Sequence, residues 1–321
     1  MVLAGRIVPD HVMIGTDHVS RCGESDMVLG SATAKQCMID IEQITIVGTG
    51  LIGGSIGLSL RAAGYKGRIV GVGRRRATVE RARQCGCIDA ALTNLDSALE
   101  APQLLILATP LRQIPLLLAK MQQPPQLEYT VTDVGSTKQQ ICQEVRNILP
   151  DPTIFVGSHP MAGGEQHGPE NAVANLFEGK PCVITPEDDT GSGAIAIVQS
   201  LWSTLGMRVT QMSPLQHDRQ VAWISHLPHA LAVLLIELAS EEGALDLASS
   251  GFRDTTRIAS GDPGVWLDIF MTNKDAVIEA VDRYSDHLGQ FRELLQRGSE
   301  QGLIKLLNRA KAERDRWVEQ F

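Results

Sequence analysis

The sequence has no unbroken apolar run near the ~18 residues that cross a bilayer. Its longest strongly apolar stretch covers only residues 230–236. An excess of positive charge is missing too. Lys+Arg number 29 against 37 Asp+Glu, a net charge of −8, which argues against a dedicated nucleic-acid binder. Cysteine is sparse: Cys22, Cys37, Cys85, Cys87, Cys142 and Cys182 are scattered through a chain too large to be a disulfide scaffold. Cys85-Gly-Cys87 lacks the two-residue gap of a zinc or thioredoxin pair. Residues 1–40 lack the basic start and apolar core of a secretory signal, and Asp10, Asp17, Glu24, Asp26 and Asp40 are too many acids for a transit peptide. These absences predict a cytoplasmic protein with reduced thiols.

What is present is ordinary globular material. A length of 321 residues suggests two domains, and 43% hydrophobic with 21% charged residues argues against wholesale disorder. Residues 1–40 show no sustained period and are expected to be a disordered N-terminal extension. From residue 41 strands and helices alternate: strands near 44–47, 68–72, 104–108, 129–133, 154–157 and 182–185, helices near 51–63, 78–84, 111–122 and 136–149. Such alternation predicts an α/β domain over 41–212, a Rossmann-type doubly wound parallel sheet. Beyond Met212 the pattern turns helical. Ser213-Pro214-Leu-Gln216 reads as a helix start, Asp262-Pro263 opens another, and residues 277–291 and 303–310 keep three- and four-residue apolar spacing. Residues 213–321 are thus expected to form an all-helical domain.

Gly48-Thr-Gly50-Leu51-Ile52-Gly53 follows a strand and opens a helix, the context that makes this motif a dinucleotide site. Gly48 permits the tight turn, Gly50 lets a pyrophosphate approach, and Gly53 lets helix and strand pack closely. The free amides at the helix start favour negative charge. About 20 residues on, where a carboxylate would hold the ribose hydroxyls of NAD, the chain has Gly73-Arg74-Arg75-Arg76. Guanidiniums in that place can pair with a 2′-phosphate, so the predicted cofactor is NADP. Thr109-Pro110, at the end of the strand near 104–108, should flank the nicotinamide.

Three further blocks carry chemistry. Asp133-Val-Gly-Ser136-Thr-Lys138 and Ser158-His159-Pro-Met-Ala-Gly163-Gly-Glu165 each follow a strand, and ligands in such sheets bind outside the strands' carboxyl ends. Ser225-His226-Leu-Pro228-His229 lies inside an apolar-periodic helix that its proline should kink. The histidines at 226 and 229 are three apart and HExxH is absent, so no metal is predicted.

On these residues the chain resembles the prephenate/arogenate dehydrogenase family of tyrosine biosynthesis. The likeness rests on GTGLIGGS at 48–55, DVGSTK at 133–138, HPMAG at 159–163, AWISHLPH at 222–229 and GFRDTTRIASGDPGVW at 251–266. It implies a homodimer through the C-terminal helices and oxidation of a cyclohexadienol with loss of CO2. It makes His159 the base at the substrate hydroxyl, with Ser136 bridging hydroxyl and imidazole. Arg257 would be the arginine for a substrate carboxylate and His229 a second polar contact. His217, His226 and Trp266 match nearby pocket positions. The arginines after the second strand look like those of the NADP-using, arogenate-oxidising branch, so L-arogenate to L-tyrosine is the expected reaction. Prephenate to 4-hydroxyphenylpyruvate is the alternative. Glu165 is a candidate for pairing with the arogenate ammonium. A β-hydroxyacid dehydrogenase or imine reductase is disfavoured by the HPMAG and SHLPH blocks. A non-catalytic NADP-sensing module would not need His159, Ser136 and Arg257 together.

Overall fold

A computed structural model describes residues 41–94, 96, 102–120, 129–164 and 166–320. The N-terminal extension, residues 121 and 122 of the helix expected near 111–122, and Glu165 lie outside the described residues. Eight strands form one sheet: β1 Gln43–Val47, β2 Arg68–Val72, β3 Ala90–Leu92, β4 Leu104–Leu107, β5 Thr130–Asp133, β6 Phe155–Pro160, β7 Pro181–Thr185 and β8 Arg208–Gln211. Their order is β3-β2-β1-β4-β5-β6-β7-β8. Every pairing is parallel except β6 with β7, where Ser158 faces Ile184 and His159 faces Val183 in antiparallel register.

The sheet is apolar on both faces because both are covered. Side chains alternate across a strand: along β4, Leu104 and Ile106 enter one core, Leu105 and Leu107 the other. The first core holds Ile56 and Leu60 of α1 (Leu51–Ala62), with Val198, Leu201 and Trp202 of α5 (Ser192–Thr204). The second holds Ile114 and Leu118 of α3 (Gln113–Leu118), with Ile141 and Val145 of α4 (Gln139–Ile148). Helix α2 (Arg76–Gln84) completes the first half. From β1 the chain winds outward to β2 and β3, then crosses back to β4, so strand order reverses between β1 and β4. That reversal opens a crevice at the strands' carboxyl ends.

Sequence reading missed β3, α5 and β8, while the doubly wound parallel sheet it predicted is present, with the one antiparallel pairing at β6 and β7. The short β3 carries only Ala-Ala-Leu, and β8 is largely exposed, so neither has a strong apolar pattern.

After β8 the described chain is helical. Helix α6 (Pro214–Val221) begins with the capping box expected from Ser213 and Gln216. A π-turn at Ala222–His226 follows, then α7 (Leu227–Glu241). At the place of the expected kink the structure has this π-turn: Leu227 N–H reaches back to Ala222 C=O, and Pro228, which has no N–H to give the preceding turn, follows directly. Helices α8 (Ser250–Thr256), α9 (Pro263–Thr272), α10 (Lys274–Gln296) and α11 (Glu300–Val318) complete the chain.

The continuous stretch Pro214–Glu241 is 28 residues long with a mean hydropathy of 1.6 in its most apolar window. By length and composition it could cross a membrane, which counting unbroken runs did not anticipate, because His217, Asp218, His226 and His229 interrupt the runs. A third of that window is buried against the rest of the chain. Leu234, Leu235 and Leu238 of α7 face outward, as do Leu267 and Met271 of α9 and Leu288 of α10.

Candidate active site

The glycine turn is built as its sequence predicts. Gly48 has φ +100°, and a Cβ there would strike the Ala108 backbone. A Cβ on Gly53 would strike the Gly48 carbonyl, so the third glycine holds helix against turn. A Cβ on Gly50 would meet nothing within 4 Å, because that residue faces the open crevice. Among the described residues, helix α1 has no side-chain cap, and the buried hydroxyls of Thr49 and Thr109 have no partner. A cleft with free amides and unpaired hydroxyls at a helix start suits a phosphate-bearing ligand.

Two adjoining cavities share Gly50, Ala108, Thr109, Pro110 and His167. One, of about 530 Å3, also touches Gly48, Thr49, Gly73, Arg74, Arg75, Thr78 and Gln113. No carboxylate stands among its described lining residues. The other, of about 810 Å3, runs from Gly50, Leu51 and Ile52 past Ser136 and His159 to Asp262, Val265 and Asp268 of the helical half. The sheet's crevice thus brings together Gly50, Leu51, Ile52, Thr109, Pro110, Ser136 and His159.

The loop after β5 is held by a buried ion pair. Lys138 and Asp133 are both fully buried and bonded to each other. Asp133 also accepts from Gly135 N–H at 2.7 Å and Ser158 N–H at 3.0 Å, which ties the Ser136 loop to the His159 strand. Ser136 is not the cap of α4, which starts at Gln139. The cap comes from the helical half. The Asp218 carboxylate accepts from Lys138 N–H at 2.7 Å and Gln139 N–H at 2.9 Å.

His159, at the end of β6, lies partly exposed in the cleft. Its Nδ1 is 2.8 Å from Nε2 of His217, whose Nδ1 is 2.7 Å from Oδ1 of Asp218. Burial, with added repulsion from His217, Lys138 and His226, holds the His159 pKa well below 6.5. The ring is therefore neutral at pH 7 and can accept a proton.

His217, His226, His229, Trp266 and Arg257, expected in the pocket, do not line the larger cavity; its helical wall is the segment from Asp262 to Ile269. His217 is fully buried behind His159. His226 is fully buried, with Asn273 Nδ2 at 3.1 Å from its Nδ1, and burial pushes its pKa down to about 4 despite the nearby Asp218. His229 stacks on Trp266 at 3.5 Å between ring centroids, and burial lowers its pKa against a hydrogen bond to the Ile258 backbone. Arg257 is exposed in the turn Arg257–Ser260, which packs on α7. Nε2 of His226 and Nδ1 of His229 are buried without a partner among the described residues, two ring nitrogens available to a ligand in this layer.

Sequence reading gave no role to Asp218, Asn273, Lys138 or Asp133. The His217-Asp218 pair was visible in the sequence, but its partners lie 58 and 80 residues away.

The description "Prephenate dehydrogenase, nucleotide-binding domain" matches residues 56–211, and "Prephenate dehydrogenase, dimerization domain" matches residues 213–309. The chain belongs to the prephenate dehydrogenase family. It is 32% identical over 280 residues to the prephenate dehydrogenase of Bacillus subtilis, covering 85% of this chain and 76% of the relative. The solved prephenate dehydrogenase of A. aeolicus, in complex with hydroxyphenyl propionate and NAD+, superposes with a TM-score of 0.80 at 35% identity, covering 86% of this chain and 98% of that one. Synechocystis arogenate dehydrogenase superposes with a TM-score of 0.74 at 32% identity, covering 86% and 99%. Membership makes the protein an oxidoreductase that takes a small-molecule substrate and a nicotinamide dinucleotide. It also assigns the outward-facing apolar residues of the helical half to a dimerisation domain.

Proposed function

We propose that this chain is an NADP-dependent arogenate dehydrogenase, acting as a homodimer. The observation that carries the reading is His159: a neutral imidazole with Nδ1 engaged from behind, in a cleft continuous with the glycine turn. Arg74 and Arg75, on a cavity whose described lining has no acid, support NADP over NAD. The amides at the start of α1 would hold the pyrophosphate, and Thr109 and Pro110 the nicotinamide end. When bound, the nicotinamide supplies the hydride acceptor.

The residues of the chain supply the rest. His159 takes the proton of the ring hydroxyl, which raises the electron density that expels hydride from the same carbon. Ser136, on the same cavity, orients that hydroxyl. The ketone formed is conjugated with the two ring double bonds, which take up the electrons released when the opposite carbon loses CO2, so decarboxylation gives a phenol and makes the oxidation effectively irreversible. Arg257 and His229, with His226 and Trp266 beside His229, are the groups for the carboxylate end of the substrate, and Glu165 for the arogenate ammonium, while His217 stands behind His159. Likeness to the Synechocystis arogenate dehydrogenase supports the substrate. Likeness to the B. subtilis prephenate dehydrogenase favours prephenate as a second reading.

The test is the initial rate of absorbance gain at the reduced-nicotinamide band, with arogenate or prephenate and NADP+ or NAD+ in all four pairings. The expected order puts arogenate with NADP+ first. No turnover in any pairing removes the catalytic reading, and a faster rate with prephenate removes the arogenate assignment.

A further inference from the structure

The line of groups behind His159 settles which of its nitrogens carries hydrogen. Asp218 as a carboxylate can only accept, so Nδ1 of His217, 2.7 Å away, is the donor. Taking His217 as the neutral ring, its one N–H is spent on Asp218, which leaves its Nε2 a lone pair. That lone pair faces Nδ1 of His159 at 2.8 Å, so Nδ1 of His159 carries the hydrogen and donates it. With its single hydrogen committed there, Nε2 of His159 is an acceptor.

The end of this line is rigidly held. His217 and Asp218 are at most 1% exposed, and the carboxylate also receives the Lys138 and Gln139 amides at the positive end of α4. Asn273 donates to the Asp218 carbonyl at 2.8 Å, which fixes the backbone. Helix α4 has no cap from its own segment, so one carboxylate serves both the joint between the two halves and the histidine line.

We propose that His217 and Asp218 are positioning residues that hold His159 in the tautomer whose Nε2 accepts the substrate's hydroxyl proton, an inference that rests on the reading of His159 as the base. In that step the substrate O–H bond breaks and an N–H bond forms at Nε2. The imidazolium keeps its Nδ1 hydrogen toward His217, and Asp218 stays unprotonated while its charge steadies the cation. The other charged or titratable groups around His159 are Lys138, paired with Asp133, His226 from the π-turn, and the Cys182 thiol of β7. Lys138 opposes the cation, His226 does so only once protonated near its pKa of about 4, and the Cys182 thiol is kept neutral by burial, which leaves Asp218 to counter Lys138.

The experiment compares the full-length chain with Asp218→Asn, His217→Gln, His217→Leu and His159→Asn at saturating cofactor and substrate. An asparagine amide turned toward His217 would reverse both tautomers. The expected loss in kcat for Asp218→Asn is then about 10^3- to 10^4-fold with KM little changed, the scale of the same change in a serine-protease triad. His217→Gln keeps an acceptor for Nδ1 of His159 and should retain at least ~10-fold more kcat than His217→Leu. Nitrogen-15 spectra of the unsubstituted protein at neutral pH should show His159 protonated at Nδ1 and bare at Nε2. That measurement stands even if Asp218→Asn weakens the cap enough to unfold the chain. A hydrogen on Nε2 overturns the proposal. So does a folded His217→Leu, judged by melting and cofactor binding, with unchanged kcat. If His159→Asn abolishes turnover while His217→Leu does not, the base stands and the positioning line falls. If His159→Asn turns over normally, the base reading falls and the positioning line with it.

Discussion

Replacing Lys138 by methionine tests how the site's floor is held. Lys138 and Asp133 are fully buried and bonded to each other, and Asp133 keeps only the Gly135 and Ser158 amides once the ammonium is gone. Breaking a buried pair from one side costs about 3–5 kcal/mol, because the remaining charge is left uncompensated. For a domain of 150–250 residues, the size class of the 41–212 half that carries Lys138, ~1 kcal/mol moves Tm by about 2–4 °C, so Lys138→Met should melt roughly 6–20 °C lower. Adding Asp133→Asn removes the stranded charge and should recover part of that loss. The assay is thermal unfolding at fixed protein concentration, since the Tm of the proposed dimer would depend on it. A second readout has its own sign. The Lys138 charge helps hold His159 neutral, so its loss raises the His159 pKa and moves the acidic limb of the rate profile to higher pH. A drop in Tm under about 2 °C would refute the claim that this pair supports the loop.

Other outcomes can be checked alongside. His226 has a folded pKa of about 4 against an ordinary 6.5, so its stabilising contribution is complete above 6.5 and is lost as pH falls toward 4. By linkage that is roughly 3 kcal/mol, measurable by urea unfolding across the window and abolished in His226→Gln. If Arg74 and Arg75 bind a 2′-phosphate, replacing both by Ser should weaken NADP+ about 10- to 100-fold and leave NAD+ little changed, by competitive binding. Gly53→Ala drives a methyl into the Gly48 carbonyl and should lose cofactor binding along with about 1–3 kcal/mol of stability. If the chain forms the proposed homodimer through its helical half, Leu238→Lys, on an outward position of α7, should shift the native mass from dimer toward monomer.

The local features were legible before any coordinates. The glycine turn, the capping box at Ser213 and Gln216, and the helix start at Asp262-Pro263 each depend on residues three or four apart, so composition and spacing are enough to reveal them. The strands of the doubly wound half declared themselves through short apolar runs that must be buried on both faces. The elements missed were β3 and β8, which have weak apolar patterns, and α5, whose following strand was itself unseen.

By itself the sequence determined most of the strands, turns and helices, where the glycine turn lies, and that an imidazole stands at the end of a strand beside it. These follow from backbone preference and apolar period, which act over a few residues. Only the tertiary structure decided what stands behind that imidazole. His217 reaches it across 58 residues, and Asp218 caps a helix 80 residues earlier in the chain. The antiparallel turn of β7 and the two unpartnered ring nitrogens of His226 and His229 belong to the same class. A hydrogen bond between distant residues exists only once packing has brought their atoms within 3 Å, and no local pattern records that approach.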